Sequence, residues 1–200
     1  MVELDQRLRP ALEAVASEHD NVSLHFDDAM RLELAALDPA PTLMVANLPY
    51  SIATPLILRT VADLPSLQSW TLMVQREIAD RLRAAPGSRV YGAPSVILQL
   101  SCEVRLLRNV DRAVFSPRPR VDSALIGLRR IGPAPAAEVT RLVRQAFAHR
   151  RKSLARSLEH ARPGARDPAR EALDAMGLPA DARAERLAPA QFVELAERVR

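Results

Sequence analysis

Short apolar runs alternate with helical patterns through the first half of this 200-residue chain, and this alternation limits its fold more than any other feature. The apolar runs with the length and composition of strands are residues 22–25, 43–46 and 70–74. Helical patterns cover residues 12–17 and 76–84, and Thr54 is placed to cap a further helix with Pro55 in its first turn. The alternation predicts an α/β fold with mostly parallel strands.

Two further strands, at residues 103–107 and 124–128, are joined by a segment rich in proline. Pro117 and Pro119 cannot donate hydrogen bonds to a sheet, so this segment must be a stiff extended loop. Such a loop would hold the ring of Phe115 in one position.

A linker at residues 131–135 follows the last predicted strand, and helical periodicity extends from there to the end of the chain. We therefore expect two domains. They are an α/β domain at residues 1–131 and a small all-α domain at residues 132–200.

Composition indicates a globular protein in a reducing compartment. Apolar residues make up 48% of the chain, which is enough for a substantial core. The single Cys102 excludes an internal disulfide, the first residues lack the pattern of a signal peptide, and no apolar run is long enough to cross a membrane. We expect a cytoplasmic protein with no membrane partner.

Charge is distributed unevenly along the chain. Residues 1–100 have a net charge of −4, whereas residues 101–200 have a net charge of +8. A basic half favours a polyanion as partner, although a merely solvated surface remains an alternative.

One tetrapeptide, Asn47-Leu48-Pro49-Tyr50, directly follows the apolar run at residues 43–46. It places a planar amide beside an aromatic ring at the end of a buried strand. That combination suits a flat nucleobase with an exocyclic amine. The alternative is an ordinary strand end and turn.

Further motifs accompany this tetrapeptide in order along almost the whole chain. They are residues 47–55, 73–82, 86–92, 95–96 with Gln99, 115–123 and 147–154. Together they resemble the KsgA-type family of small-subunit (16S) rRNA adenine dimethyltransferases. Tyr91-Gly92 and the Pro-x-Pro-x-Val-Asp-Ser pattern ending at Ser123 fit this family better than the related macrolide-resistance rRNA methyltransferases.

The resemblance implies a Rossmann-like, class I methyltransferase sheet with a small helical C-terminal domain. It also implies S-adenosylmethionine as methyl donor, no metal, a monomer, and 16S rRNA in the small ribosomal subunit as partner. Members place two methyl groups on each of two adjacent adenines.

Five residues are implied to handle the target adenine. The Asn47 side-chain oxygen and the Leu48 carbonyl would accept hydrogen bonds from the exocyclic amine, and Pro49 would make them directional. Tyr50 and Phe115 would stack on the base, a contact worth about 1 to 3 kcal/mol per base in other systems. Packing at a domain junction is the alternative for Phe115.

The resemblance also implies residues that bind the methyl donor. Glu3 would bind its ribose hydroxyls, Asp28 its adenine amine, and Asn47 would contact it as well. The alternative for each acid is a helix cap or a solvated turn.

Basic residues are expected to contact rRNA phosphates, which gives affinity and salt dependence rather than base specificity. They are Arg118, Arg120, Arg141, Arg144, Arg150, Arg151, Lys152 and Arg156. The run from Arg150 to Lys152 predicts a break between two helices.

A glycine-rich turn is expected about 20 residues before the ribose-binding acid, yet only Met1 and Val2 precede Glu3 and the first glycine is Gly87. The strand that carries this turn is central in the family. Its absence predicts exposed apolar edges on the strands at residues 22–25 and 43–46.

Three hypotheses follow. The sequence lacks the N-terminal part of a working enzyme; or the short chain is a non-catalytic protein of rRNA binding or ribosome assembly; or it methylates 23S rRNA like the macrolide-resistance enzymes. An in-frame glycine-rich loop upstream of Met1 would support the first over the second. Methylation of each isolated subunit would test the third.

We expect the 200-residue chain alone to bind S-adenosylmethionine weakly and to show no turnover, because the backbone turn that approaches the donor is absent from it. Titration calorimetry checks this prediction. Tight binding by this chain would contradict it.

Overall fold

The fold comes from a computed structural model that describes residues 1–199. Six strands are present: β1 (Val2–Glu3), β2 (His25–Phe26), β3 (Leu43–Asn47), β4 (Ser69–Gln75), β5 (Cys102–Val110) and β6 (Ser123–Arg130). The α-helices are α1 (Arg9–Ala16), α2 (Ala53–Asp63), α3 (Arg76–Leu82), α4 (Ala93–Gln99), α5 (Ala137–Phe147), α6 (Leu154–Ala161), α7 (Arg166–Ala175) and α8 (Pro189–Arg198). Short 3-10 helices cover Gln6–Leu8, Leu34–Ala36, Arg112–Val114 and Ala184–Arg186.

The strands form a mixed sheet in which β3, β4 and β5 run in the same direction and only β6 runs against them, so the α/β class and the expectation of mostly parallel strands are both confirmed. Four strands pair in the order β3-β4-β6-β5, and only the β3-β4 pair is parallel. Between β5 and β6 the chain has a single 3-10 turn and a proline loop in place of a crossover helix. Without a crossover helix, two neighbouring strands pair antiparallel.

Strands β1 and β2 form a separate parallel pair of two residues each. The strand predicted at residues 22–25 is shorter and lies later in the chain, at His25–Phe26, where it pairs with Val2–Glu3. As predicted, β3 lies at the edge of the four-stranded sheet with apolar side chains uncovered. Leu43 is 56% exposed and Val45 is 72% exposed.

Helix α2 begins at Ala53 with Ile52 as its N-cap, so the prediction that Thr54 caps this helix is wrong. The Ile52 N–H donates to the carbonyl of Pro49 at 3.2 Å, which turns the chain one residue earlier. Pro55 remains in the first turn, where a missing N–H costs no helical hydrogen bond.

The core of the α/β part lies between α2 and the inner face of β4. Trp70, Leu72 and Val74 alternate into this core and are each at most 1% exposed. The Trp70 indole N–H donates to the Thr60 hydroxyl at 3.0 Å, so its polar atom is satisfied as well.

After β6 the described residues contain only helices, with the predicted break between α5 and α6. Their core centres on Phe192, Leu154 and Leu173, and it also includes Tyr91 and Val96 from earlier in the chain. The domain division at residue 131 stays a prediction based on chain order, and the core of the helical part crosses it because that core includes side chains from before residue 131. No helix among residues 1–199 has both the length and the hydropathy needed to cross a membrane.

Removing the Leu72 side chain tests the assigned core. Because Leu72 is fully buried in the centre of β4, Leu72→Ala should lower the free energy of unfolding by about 2 to 5 kcal/mol. Leu4→Ala is the matched control, since Leu4 is 64% exposed. Urea denaturation of both variants measures the difference, and equal losses would contradict the assignment.

Candidate active site

An open cavity of about 370 Å³ lies where β3 ends and is lined by Asn47, Leu48, Pro49, Tyr50, Phe115, Pro117 and Pro119. Residues 47–50 and Phe115 are more than 60 positions apart in the chain, and the structure brings them to one place. The cavity offers two aromatic rings and one side-chain amide, which are groups that recognise a flat heterocycle.

Strand pairing fixes the first wall of this cavity. β3 pairs in register with β4 up to Asn47, and the Leu48 N–H then donates to the Met73 carbonyl at 3.0 Å. The Leu48 side chain is 4% exposed and anchors the turn in the core, whereas Asn47 and Pro49 are exposed. The alternation of burial therefore turns the Asn47 side chain away from the core.

A hydrogen bond across the sheet fixes the ring of Tyr50. Its hydroxyl lies 3.0 Å from the hydroxyl of Ser123, the first residue of β6. Ser123 is 1% exposed, so this contact is shielded from water. The half-buried Tyr50 ring is thus held at the mouth of the cavity.

The loop that carries Phe115 is tied back at both ends. The Arg112 N–H donates to the Asp122 carboxylate at 3.2 Å, and the Arg112 guanidinium donates to the Arg120 carbonyl at 3.1 Å. Asp111 caps the preceding 3-10 turn by accepting the Ala113 N–H at 2.7 Å. These hydrogen bonds close the loop and present the Phe115 ring to the cavity.

A second cavity of about 490 Å³ adjoins the first on the uncovered side of β3. Glu3 and Asp28 contribute carboxylates to it, and much of the remaining lining is apolar, including Leu34 and Met44. Asn47, Leu48 and Pro49 line both cavities. The tetrapeptide therefore forms the wall between them, and the second cavity contains all three residues predicted to bind the donor.

Backbone hydrogen bonds order Glu3 and Asp28 in the second cavity. Glu3 accepts the Asp5 N–H at 2.8 Å, and Asp28 accepts the Met30 N–H at 2.8 Å. The second carboxylate oxygen of Glu3 and of Asp28 takes no part in these two hydrogen bonds. In Asp28 this oxygen lies 3.8 Å from the Arg31 guanidinium.

Arg59 of α2 holds the loop after Asp28 in place. Its guanidinium donates to the carbonyls of Ala29 and Leu32, each at 2.7 Å, and to Asp63 at 3.0 Å. These hydrogen bonds attach the loop after Asp28, which lines the second cavity, to α2, the helix that follows the tetrapeptide.

The structure distributes the predicted RNA-binding residues over several places, all exposed or partly exposed. Arg151, Lys152 and Arg156 line one cleft. Arg141 lines a separate cavity on α5, and Arg150 donates to the Arg89 carbonyl at 2.9 Å.

The residues on the proline loop lie beside the first cavity. Arg118 lies between Pro117 and Pro119, and Arg120 lines a notch of about 340 Å³ together with Arg76. Arg76 is itself fixed by Asp80 at 3.0 Å. Burial acts to raise the pKa of Asp80, but hydrogen bonds from Arg83 and Arg76 outweigh it and hold that pKa below its usual value.

Sequence reasoning did not assign a role to Ser123 or Arg59. Ser123 is the last residue of the Pro-x-Pro-x-Val-Asp-Ser pattern, so the sequence motif included it without indicating its hydrogen bond to Tyr50. Arg59 lies in an ordinary helical stretch, and nothing in the sequence indicates that it contacts a loop 27 to 30 residues earlier. Among residues 1–199 no group of three His, Cys, Asp or Glu side chains is arranged to hold a metal ion.

The hydrogen bond between Tyr50 and Ser123 can be measured by a double-mutant cycle of Tyr50→Phe and Ser123→Ala. Each single change leaves the other hydroxyl without its partner, whereas the double change leaves none unpaired. We expect a coupling free energy of about 1 kcal/mol from urea denaturation of the four proteins. Additive effects would contradict the hydrogen bond.

Comparisons with known proteins agree on one family. A profile described as "Ribosomal RNA adenine dimethylase" matches residues 1–200. Proteins named ribosomal RNA small subunit methyltransferase A are similar to the chain. The one from Rubrobacter xylanophilus is 43% identical over 99% of this chain and 75% of its own length. The one from Thermobifida fusca is 42% identical over 98% and 71%.

Solved structures show the same fold. A dimethyladenosine transferase from Plasmodium falciparum superposes with a TM-score of 0.79 at 23% identity, over 97% of this chain and 78% of that one. The 23S rRNA methyltransferase ErmE superposes with a TM-score of 0.67 at 27% identity, over 99% and 80%. The fold is that of a class I methyltransferase, as the motifs predicted. By sequence over its whole length, the chain belongs to the ribosomal RNA adenine dimethylase family.

Proposed function

We propose that this protein transfers methyl groups from S-adenosylmethionine to the exocyclic amines of two adjacent adenines in 16S rRNA of the small ribosomal subunit. One observation carries the proposal: Asn47, Leu48 and Pro49 form a wall shared by an aromatic cavity and a cavity that contains Glu3 and Asp28. A methyltransferase must hold the acceptor nitrogen close to the methyl group of the donor. Because Asn47, Leu48 and Pro49 line both cavities, an acceptor in one cavity and a donor in the other would meet at these residues.

The residues of the second cavity fit the donor. Its apolar lining suits the faces of an adenine ring, while Glu3 and Asp28 offer acceptors for ribose hydroxyls and for a ring amine. Bound there, S-adenosylmethionine supplies an electrophilic methyl group on a sulfonium. Arg59 keeps the Asp28 loop against α2, so Asp28 is positioned before the donor binds.

The residues of the first cavity fit the acceptor. The lone pair of the adenine amine is delocalised into the ring, so this nitrogen is a poor nucleophile. The Asn47 side-chain oxygen and the Leu48 carbonyl would accept its two hydrogens and favour the pyramidal nitrogen that attack requires. Tyr50 and Phe115 would hold the ring by stacking. Positioning and exclusion of water supply most of the catalysis, and no metal takes part.

The names of the relatives support the small ribosomal subunit as the target. Relatives at 43% and 42% identity carry a small-subunit name, whereas ErmE, whose name specifies 23S rRNA, is 27% identical. We propose that the protein acts in the cytoplasm as a monomer. With protein that includes any in-frame coding sequence upstream of Met1, label from methyl-tritiated S-adenosylmethionine should enter small subunits and not large ones. Labelling of large subunits alone would overturn the target.

Replacing the amide tests the acceptor role. In protein produced with any in-frame coding sequence upstream of Met1, Asn47→Ala should lower the rate of methyl transfer at least about 100-fold, since a group aimed at the transition state commonly contributes that much. RNA binding should be retained because the phosphate contacts are elsewhere.

The matched control is Asn21→Ala, because Asn21 is an exposed loop residue outside both cavities. Its rate should equal that of the wild type. A near-normal rate for Asn47→Ala would show that the acceptor role is wrong.

A further inference from the structure

Arg76 is the first residue after β4, and it contacts both ends of the loop that joins β5 to β6. We call this loop, residues 111–122, the proline loop; it carries Phe115. The Arg76 backbone N–H donates to the carbonyl of Asp122, the last residue of the loop, at 3.0 Å. The Arg76 guanidinium donates to the side-chain oxygen of Asn109, near the end of β5. One residue therefore joins the two strand ends from which the loop extends.

The contact with Asn109 supplies a second attachment for an edge strand. In the sheet order β3-β4-β6-β5, β6 lies between Arg76 at the end of β4 and Asn109 on β5. Among residues 1–199, β5 pairs with β6 alone, and its register shifts between Leu106 and Arg108, just before Asn109. Such an irregularity disrupts the ladder locally. The Arg76 side chain reaches across β6 and attaches this strand end to α3.

The Arg76 guanidinium is oriented by Asp80, one turn further along α3. Its Nε donates to Asp80 at 3.0 Å, and Arg83 donates to the other oxygen of the same carboxylate at 2.8 and 3.1 Å. Although burial acts to raise the pKa of Asp80, these hydrogen bonds keep it below its usual value, so the carboxylate stays ionised at neutral pH. Because a guanidinium is planar, fixing its Nε also sets the direction in which a terminal nitrogen reaches Asn109.

Arg76 lines neither the aromatic cavity nor the second cavity. It lines the notch of about 340 Å³ instead, together with Arg112, Arg120 and Asp122 from the two ends of the proline loop. The route by which Arg76 acts on a base in the aromatic cavity is therefore the loop itself.

We propose that Arg76 is a positioning residue: by bridging Asn109 and Asp122, it holds the proline loop so that the Phe115 ring stays at the aromatic cavity. The inference rests on the proposed function, and it adds how one stacking partner of the target adenine is kept in place. A loop that is ordered before the base arrives spares binding the cost of ordering it.

Direct binding of an RNA phosphate is the other role open to a guanidinium at this place. The two roles differ in what they require. Positioning requires the acceptor on Asn109, whereas phosphate binding requires only the charge of Arg76. A test with neutral probes, and with a change at each end of the contact, separates them.

The full 200-residue chain with Phe115→Trp serves as the reporter. Acrylamide, a neutral quencher, reaches exposed indoles, and Trp70 is 1% exposed, so quenching of fluorescence reports on position 115. Adenosine, also neutral, is the second probe because it can stack on the introduced indole. The variants in this background are Arg76→Ala, Asn109→Ala and the two changes together.

The matched control is Arg81→Ala. Arg81 lies on the same helix, and its removal takes away the same charge. It pairs with Glu77 at 2.6 Å and does not line the notch.

We expect Arg76→Ala and Asn109→Ala each to raise the acrylamide quenching constant, because an unattached loop exposes the half-buried position 115. Each should also weaken adenosine binding about 5-fold, since a stacking contact commonly contributes that much or more. The double variant should match the single ones, because all three break the same contact. Arg81→Ala should behave as the reporter does.

Methyl-transfer kinetics give a second readout, in protein that includes any in-frame coding sequence upstream of Met1 and keeps Phe115. Arg76→Ala and Asn109→Ala should lower kcat/KM for small subunits at least about 10-fold, because misplacing a reacting group by about 1 Å can cost more than that. The KM for S-adenosylmethionine should stay at the wild-type value, since Arg76 and Asn109 lie outside the second cavity.

Unchanged quenching in Arg76→Ala, or an equal effect of Arg81→Ala, would overturn the positioning role. An effect of Arg76→Ala that Asn109→Ala does not share would overturn it as well and would favour a direct contact between the guanidinium and RNA. The proposed function fails separately: it would be contradicted if adenosine caused no quenching in the reporter itself.

Discussion

The pairing of β3 with β4 is the constraint on which the rest of this structure depends. It runs in register to Asn47 and continues in the hydrogen bond from the Leu48 N–H to the Met73 carbonyl. Because the Leu48 side chain is buried, it anchors the turn after β3 in the core. The amide of Asn47 is therefore held at the carboxyl end of the sheet. In open α/β sheets ligands bind at that end, and here two cavities meet there.

The two cavities have different physical character, and each suits one part of a single task. The aromatic cavity offers rings and acceptors, and the second cavity offers acids in apolar surroundings. A flat base and a nucleoside-bearing donor have the complementary properties. Hydrogen bonds such as those of Tyr50 with Ser123 and of Arg59 with the Asp28 loop set the positions of these sites.

Local patterns predicted the strands at residues 43–46 and 70–74 and a loop outside the sheet at Pro117 and Pro119, because burial and proline chemistry act within a few residues. The motifs also predicted that residues 47–50 and Phe115 share a site. They did not predict that β6 inserts antiparallel between β4 and β5, since strand order depends on long-range packing. The role of Arg59 was hidden for the same reason, because it depends on a contact between distant segments.

A crystal structure with adenosine bound tests the central claim most directly, namely that the wall at Asn47 is where a target adenine presents its amine. The account predicts the adenine ring between Tyr50 and Phe115, with its exocyclic nitrogen about 3 Å from the Asn47 side-chain oxygen and the Leu48 carbonyl. An aromatic cavity that contains no adenine, or an adenine there whose amine faces solvent, would contradict it.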